Sequence, residues 1–219
     1  MTRVPVLLLS LFMAACSPAC APLPPGPLHA PQGTEKAFLA SLRARTVQVL
    51  VNCEGDNDGS GSGVILWSSD YKQIVATAGH VADMPECLYT VNGWAANILE
   101  VDEENDVALL ETMGEDDIGP LALSHPYLGM EVIHVGYPVQ YPGSKTGIQV
   151  SRGHLITHRR VSCSFWYGSS GGPVFDSWGR LVGLAVSFYT LPGTNFPIPD
   201  HYNISSAQNL RPLIGNVLP

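Results

Sequence analysis

Gly168-Ser169-Ser170-Gly171-Gly172-Pro173 places a pair of serines among glycines, and Pro173 leads into the apolar run Val174-Phe175. Glycine permits tight turns that a side chain would block. A tight turn here lets the backbone N–H groups of Gly168 and Ser170 point at one place together. A carbonyl under nucleophilic attack needs such donors, because its oxygen becomes an oxyanion, and losing one donor costs about 2.7–4 kcal/mol of transition-state stabilisation. Ser170 is the candidate nucleophile rather than Ser169, because Gly-Gly-Pro follows it directly.

A serine hydroxyl holds its proton too tightly to attack unaided at neutral pH. It needs a base within hydrogen-bond reach, and imidazole has a suitable pKa. Upstream, Thr77-Ala78-Gly79-His80-Val81 offers His80. Imidazole has two tautomers, and only one leaves the nitrogen facing serine free to accept. A carboxylate holding the other N–H fixes that tautomer and stabilises the imidazolium that forms. Between the two segments lies Asn105-Asp106-Val107-Ala108-Leu109-Leu110. Asp106 abuts the apolar run, at a strand's mouth where a carboxylate is partly buried; Asp102 lies further from that core. His80, Asp106 and Ser170 are therefore the candidate catalytic residues.

Around these segments the chain reads as strands. Thr34–Leu42 forms a short capped helix with Phe38, Leu39 and Leu42 on one side. Six apolar segments follow: Thr46–Cys53, Ser62–Trp67, Gln73–Thr77, Leu88–Val91, Ala95–Val101 and Val107–Leu110. Six strands with short turns suit a small closed barrel. A second set runs Glu131–Tyr137, Gly147–Thr157, Gly172–Phe175, Leu181–Phe188 and Tyr202–Ile204, with a final helix over Ala207–Ile214. Composition agrees: 22 glycines and 18 prolines in 219 residues suit a loop-rich β fold, and 45% hydrophobic residues suffice for a sizeable core. The net charge of −8 and the absence of a basic cluster speak against nucleic-acid binding. Arg159-Arg160 reads as a solvated strand end.

The order His80, Asp106, Ser170, each in its strand or loop context, resembles the bacterial trypsin-like serine peptidases, above all the HtrA/Deg-type protease domain, over roughly residues 46–210. The resemblance implies an all-β fold of two six-stranded antiparallel β-barrels with short N- and C-terminal helices. The protease domain spans 34–219, with barrels at about 46–115 and 118–206 and the site in the cleft between them. It implies a serine endopeptidase working through an acyl-enzyme on protein or peptide substrates, without a cofactor. After Ile214 the sequence leaves no room for the PDZ domain that such enzymes often carry. The pancreatic-type enzymes have an aspartate just before the nucleophile to receive a newly cut N-terminus. Ser169 stands there, and no Ile-Val-Gly-Gly start exists near residue 34, so activity is expected to be intrinsic or controlled by loop ordering.

The same resemblance assigns substrate contacts. The residue six before the nucleophile, at the base of the primary pocket, is Ser164, so no buried charge awaits Lys or Arg. Ala185 stands where Glu-selecting enzymes carry histidine. Val186-Ser187-Phe188 lies along the edge that pairs with an extended substrate. Phe188 either narrows the pocket mouth, favouring small or medium apolar side chains, or turns outward and lines nothing. Two other functions are weighed. A catalytically weak binding protein on this scaffold needs a broken triad, and none is broken. An α/β-hydrolase esterase demands Gly-x-Ser-x-Gly and the order Ser, Asp, His, which this chain lacks.

The N-terminus reads as export machinery. Arg3 precedes the apolar Val4–Ala15, too short to span a bilayer, so residues 1–15 read as a signal peptide. Met13-Ala14-Ala15-Cys16 resembles a bacterial lipobox, with Cys16 as the lipidated residue and membrane anchor; the competing cleavage lies near Ala19-Cys20-Ala21. Residues 16–33 form a tether rich in proline (Pro18, Pro22, Pro24, Pro25, Pro27, Pro31). An exported, periplasmic chain permits disulfides. Cys53 ends the first strand and Cys87 follows His80 by seven residues, so pairing them staples the His80 segment to its barrel; the state of Cys20 and Cys163 stays open. No His/Cys spacing suggests a metal site, and the other histidines read as structural or solvated.

Overall fold

The computed structural model describes residues 34–54, 58–69, 71–114, 118–139 and 147–217. The leader 1–15, Cys16 and the rest of the tether lie outside the described residues. Helix α1 spans Glu35–Arg45. Thr34 caps it, its Oγ1 accepting the Ala37 N–H at 3.3 Å, and Glu35 suits the positive helix start. Leu42 is buried, with Phe38 and Leu39 packed beside it.

Twelve strands follow: β1 (Thr46–Asn52), β2 (Gly59–Ser69), β3 (Lys72–Thr77), β4 (Leu88–Val91), β5 (Trp94–Asp102), β6 (Val107–Met113), β7 (Glu131–Gly136), β8 (Gln149–Thr157), β9 (Arg160–Val161), β10 (Pro173–Asp176), β11 (Leu181–Thr190) and β12 (Pro197–Ser206). They close into two antiparallel barrels, ordered β1-β2-β3-β6-β5-β4 and β10-β11-β12-β9-β8-β7. Helix α2 (Leu210–Val217) ends the fold.

The continuous apolar runs have a physical reason. In a strand alternate side chains face opposite ways, so Ala108 and Leu110 enter the interior of the first barrel. Val107 and Leu109 face the other way, into a core shared with Ile133, Val135, Phe175, Leu181 and Leu184 of the second barrel. β3 does the same, sending Val75 inward and Ile74 and Ala76 outward. Both faces are dry, so both must be apolar. Phe175 is fully buried in the shared core, and a side chain of that size contributes about 1.5–3 kcal/mol by burial.

The second barrel has one strand more than the five segments read from the sequence. β9 is only Arg160–Val161, yet Val161 is fully buried and pairs with Leu155 on one side and Tyr202 on the other. The Arg159-Arg160 pair is thus the entry to a closing strand. β12 also starts earlier than Tyr202, at Pro197, which pairs with Thr190. Proline lacks the N–H for a two-sided ladder, and Pro197 sits at the hairpin tip, where only β11 flanks it.

Candidate active site

His80 stands in a 3₁₀ turn, Gly79–Val81, directly after β3. Ala78, Val81 and Ala82 are buried in the first barrel, which anchors the turn and leaves the His80 side chain 44% exposed. Asp106 ends the turn between β5 and β6. Its φ of +53° lies in the left-handed region, which costs most residues about 1–2 kcal/mol and Asp less. Asp102 closes that turn: its carboxylate accepts the Asn105 N–H at 3.0 Å and the Asn105 side-chain amide at 2.8 Å. The Asn105 carbonyl in turn accepts Ser205 Oγ–H at 2.6 Å, reaching across from β12.

The turn aims the Asp106 carboxylate at His80. Oδ1 accepts the His80 backbone N–H at 2.8 Å, and both carboxylate oxygens lie 3.0 Å from His80 Nδ1. Nδ1 is the donor, since a carboxylate only accepts, so Nε2 is left free. The hydrogen bond to Asp106 raises the His80 pKa above 6.5, against the lowering by burial, with the charges of Asp106 and Asp83 adding to the rise. Burial pushes Asp106 upward, but its bonds from the His80 ring and backbone and the charge of His80 outweigh this and hold it below the usual carboxylate value.

Ser170 lies on a loop pinned from both barrels. Its carbonyl accepts the Ser62 N–H of β2 at 2.7 Å; Gly171 N–H donates to Ala185 of β11 at 2.7 Å, and Ala185 N–H returns to Gly172 at 2.9 Å. Gly171 has φ +81°, and a Cβ there would overlap Ser62 O and Thr77 Oγ1. Gly168 also needs its left-handed φ of +82°; its carbonyl accepts Ser62 Oγ–H at 2.9 Å. Among the described residues, neither the Gly168 nor the Ser170 N–H donates to a protein acceptor. Ser169 is buried and closes the turn locally, donating its N–H to Trp166 O at 2.9 Å and accepting Trp166 N–H on Oγ at 3.3 Å.

His80, Gly168 and Ser170 line one cavity of about 630 Å³ together with Val186, Ser187 and Phe188. Ser164, expected at the base of the primary pocket, is exposed, and the residues before Gly168 that line this cavity are Phe165, Trp166 and Tyr167. Phe165 is buried, whereas Ser164 turns to the surface, its carbonyl accepting from Ser151 Oγ. Phe188 faces inward, stacked on Trp166 at 5.8 Å and 16°, with Tyr167 edge-on at 5.2 Å. This aromatic wall has a usable signal in the sequence, the two large rings Trp166-Tyr167 directly before Gly168. Ser60 and Asp58 carry no such signal, because their Gly/Ser/Asp surroundings read only as loop.

Cys53 and Cys87 form a disulfide. Cys163 is free and buried, and burial pushes its thiol up to about 12. His134, behind the serine loop, packs its ring 5.0 Å from Phe165. Burial holds it neutral, with its pKa lowered to about 3.

Two closed six-stranded barrels, with the His80–Asp106 pair on one and the Ser170 loop on the other, define the trypsin-like fold. The family model described as trypsin-like peptidase domain matches residues 61–184, over half of the chain, and the chain belongs to that family. It is 25% identical over 177 residues to a "Probable periplasmic serine endoprotease DegP-like" of Marinomonas sp. (strain MWYL1), covering 72% of this chain and 37% of that one. A protein of the same description from Pseudomonas putida (strain GB-1) is 29% identical over 168 residues, covering 69% and 35%. The "Serine protease Do-like HtrA" of Bacillus subtilis (strain 168) is 27% identical over 194 residues, covering 74% and 43%. The chain thus spans well under half the length of these relatives.

Proposed function

We propose that the protein is a serine endopeptidase that cleaves protein or peptide chains through an acyl-enzyme. The observation that carries this reading is the His80–Asp106 pair opening, with Ser170, on a single cavity. Ser170 Oγ attacks the scissile carbonyl as His80 Nε2 takes its proton. Asp106 keeps the imidazole in the required tautomer and stabilises the imidazolium. The N–H groups of Gly168 and Ser170 stabilise the oxyanion. The imidazolium then protonates the departing amine, and water, activated by the same imidazole, hydrolyses the ester and releases Ser170.

The loop geometry supports activity without an N-terminal ion pair, since Ser169 is satisfied within its own turn. Phe188 and Trp166, stacked in the cavity, favour small or medium apolar side chains before the cut. An apolar pocket separates substrates differing by a methylene by only about 1–3 kcal/mol, so cleavage is permissive. The names of the periplasmic relatives and the leader-like residues 1–15 support export. Lipidation of Cys16 then anchors the protein to a membrane, and the mass of the mature N-terminus tests it: an unmodified N-terminus beginning after Cys16 would exclude the anchor.

The deciding experiment is labelling with a fluorophosphonate probe in purified protein. Ser170 is expected to be labelled and to turn over a generic protein substrate. Ser170→Ala loses both, whereas Ser169→Ala keeps labelling. Full peptidase activity in Ser170→Ala would end the assignment.

A further inference from the structure

The two walls of the cavity differ in charge. On the β11 side stand Val186, Ser187 and Phe188; on the β2 side stand Ser60 and Asp58. Among the described lining residues Asp58 is the one carboxylate, and no Lys or Arg accompanies it. Asp58 is exposed, but it is held in place. Its Oδ1 accepts the Cys53 N–H at 3.1 Å, and the disulfide ties Cys53 to Cys87. β2 itself is tied to the serine loop through Ser62 N–H and Ser170 O, 2.7 Å apart. Asp58 Oδ2 has no protein partner among the described residues. Across the disulfide, the segment before Cys87 carries Asp83, whose negative charge is felt at His80.

The path of a substrate follows from the endopeptidase reading, on which this inference rests. The acyl-side segment lies along the β11 edge and its carbonyl meets the N–H groups of Gly168 and Ser170. The leaving segment then departs on the opposite side, past Ser60 and Asp58. An extended chain rises about 3.3 Å per residue with side chains alternating in direction. Within the first three leaving residues, Asp58 is therefore met by one side-chain position rather than by all.

We propose that Asp58 is a specificity-determining residue, selecting substrates with Lys or Arg at one of the first three positions after the scissile bond. Neutral and acidic residues there bind less well, and the preference is independent of the apolar pocket that reads the residue before the cut. An ion pair at an exposed carboxylate changes affinity about two- to fivefold.

The test uses internally quenched peptides of one acyl-side sequence, with Lys, Gln or Glu placed in turn at each of the three leaving positions. kcat/KM is measured for the wild type, Asp58→Asn and Asp58→Lys. Asn keeps an Oδ1 acceptor for the Cys53 N–H, so the loop retains its anchor. At one position the wild type is expected to prefer Lys over Gln and Gln over Glu, by about two- to fivefold per step. Asp58→Asn flattens this order and Asp58→Lys reverses it. Raising NaCl from about 0.1 to 1 M shortens the Debye length from about 10 to 3 Å and compresses the wild-type ratios. Equal rates in the wild type, or an order retained in Asp58→Asn, would overturn the proposal while leaving the endopeptidase reading intact. Failure of the wild type to label at Ser170 or to cleave any peptide would overturn both.

Discussion

Replacing Cys53 and Cys87 together by alanine tests how the His80 side of the cleft is held. The bridge joins residues 34 apart in sequence. Closing a loop of that length removes about 12.6 cal/mol/K of entropy from the unfolded chain, or about 3.8 kcal/mol at 25 °C, and measured bridges typically give about 2–4 kcal/mol. Native packing changes less, because Cys53 is only partly buried and the cavity left at Cys87 is small. In a domain of this size each kcal/mol moves the midpoint by about 2–4 °C, so the double variant should melt roughly 8–15 °C lower. Calorimetry on the oxidised wild type, the reduced wild type and the double variant reads this directly. The two thiol-free or reduced samples should coincide. Probe labelling of Ser170 at 25 °C should persist, because His80 is held by Asp106 and by the packing of Val81 and Ala82. A variant melting within about 2 °C of the oxidised wild type would refute the loop-entropy reasoning.

Asp106→Asn should lower kcat by about 10⁴ by presenting the wrong tautomer. It should also move the pH profile: the imidazole acts only when neutral, and its raised pKa places the rising limb of wild-type kcat/KM above 6.5. Without the Asp106 hydrogen bond and charge the limb shifts to lower pH, and an unmoved limb would contradict the pairing. Phe188→Gly removes one ring of the Trp166 stack and should extend acceptance before the cut to aromatic residues. A peptide-library profile identical to wild type would show that Phe188 does not bound the pocket.

The first barrel was readable because its strands are continuous apolar runs bounded by turn residues, as in Val107–Leu110 with both faces dry. β9 was not, because two residues carry no periodicity and Arg160 disguises a strand whose one buried apolar side chain is Val161. The start of β2 was hidden for a related reason: Gly59–Gly61 have almost no side chains to pattern, and β1 pairing places them. His80, Asp106 and Ser170 stood out through their neighbours, and the structure brings the first two into contact and opens the third on the same cavity. The pocket wall did not, because counting six residues back from Ser170 ignores which side chains bury best; Phe165 is buried where Ser164 is exposed. The left-handed backbone of Asp106 was equally invisible, being imposed by the Asp102–Asn105 turn and the Ser205 bond from the other barrel.

The core shared by the two barrels bears on when the machinery exists at all. Val107 and Leu109 from one half and Phe175, Leu181 and Leu184 from the other are dry only against each other. Separated, each half would expose that face to water, and the base and the nucleophile would sit on different bodies. On the endopeptidase reading, a copy whose two halves have not yet met holds the proposed base and the proposed nucleophile but no working site.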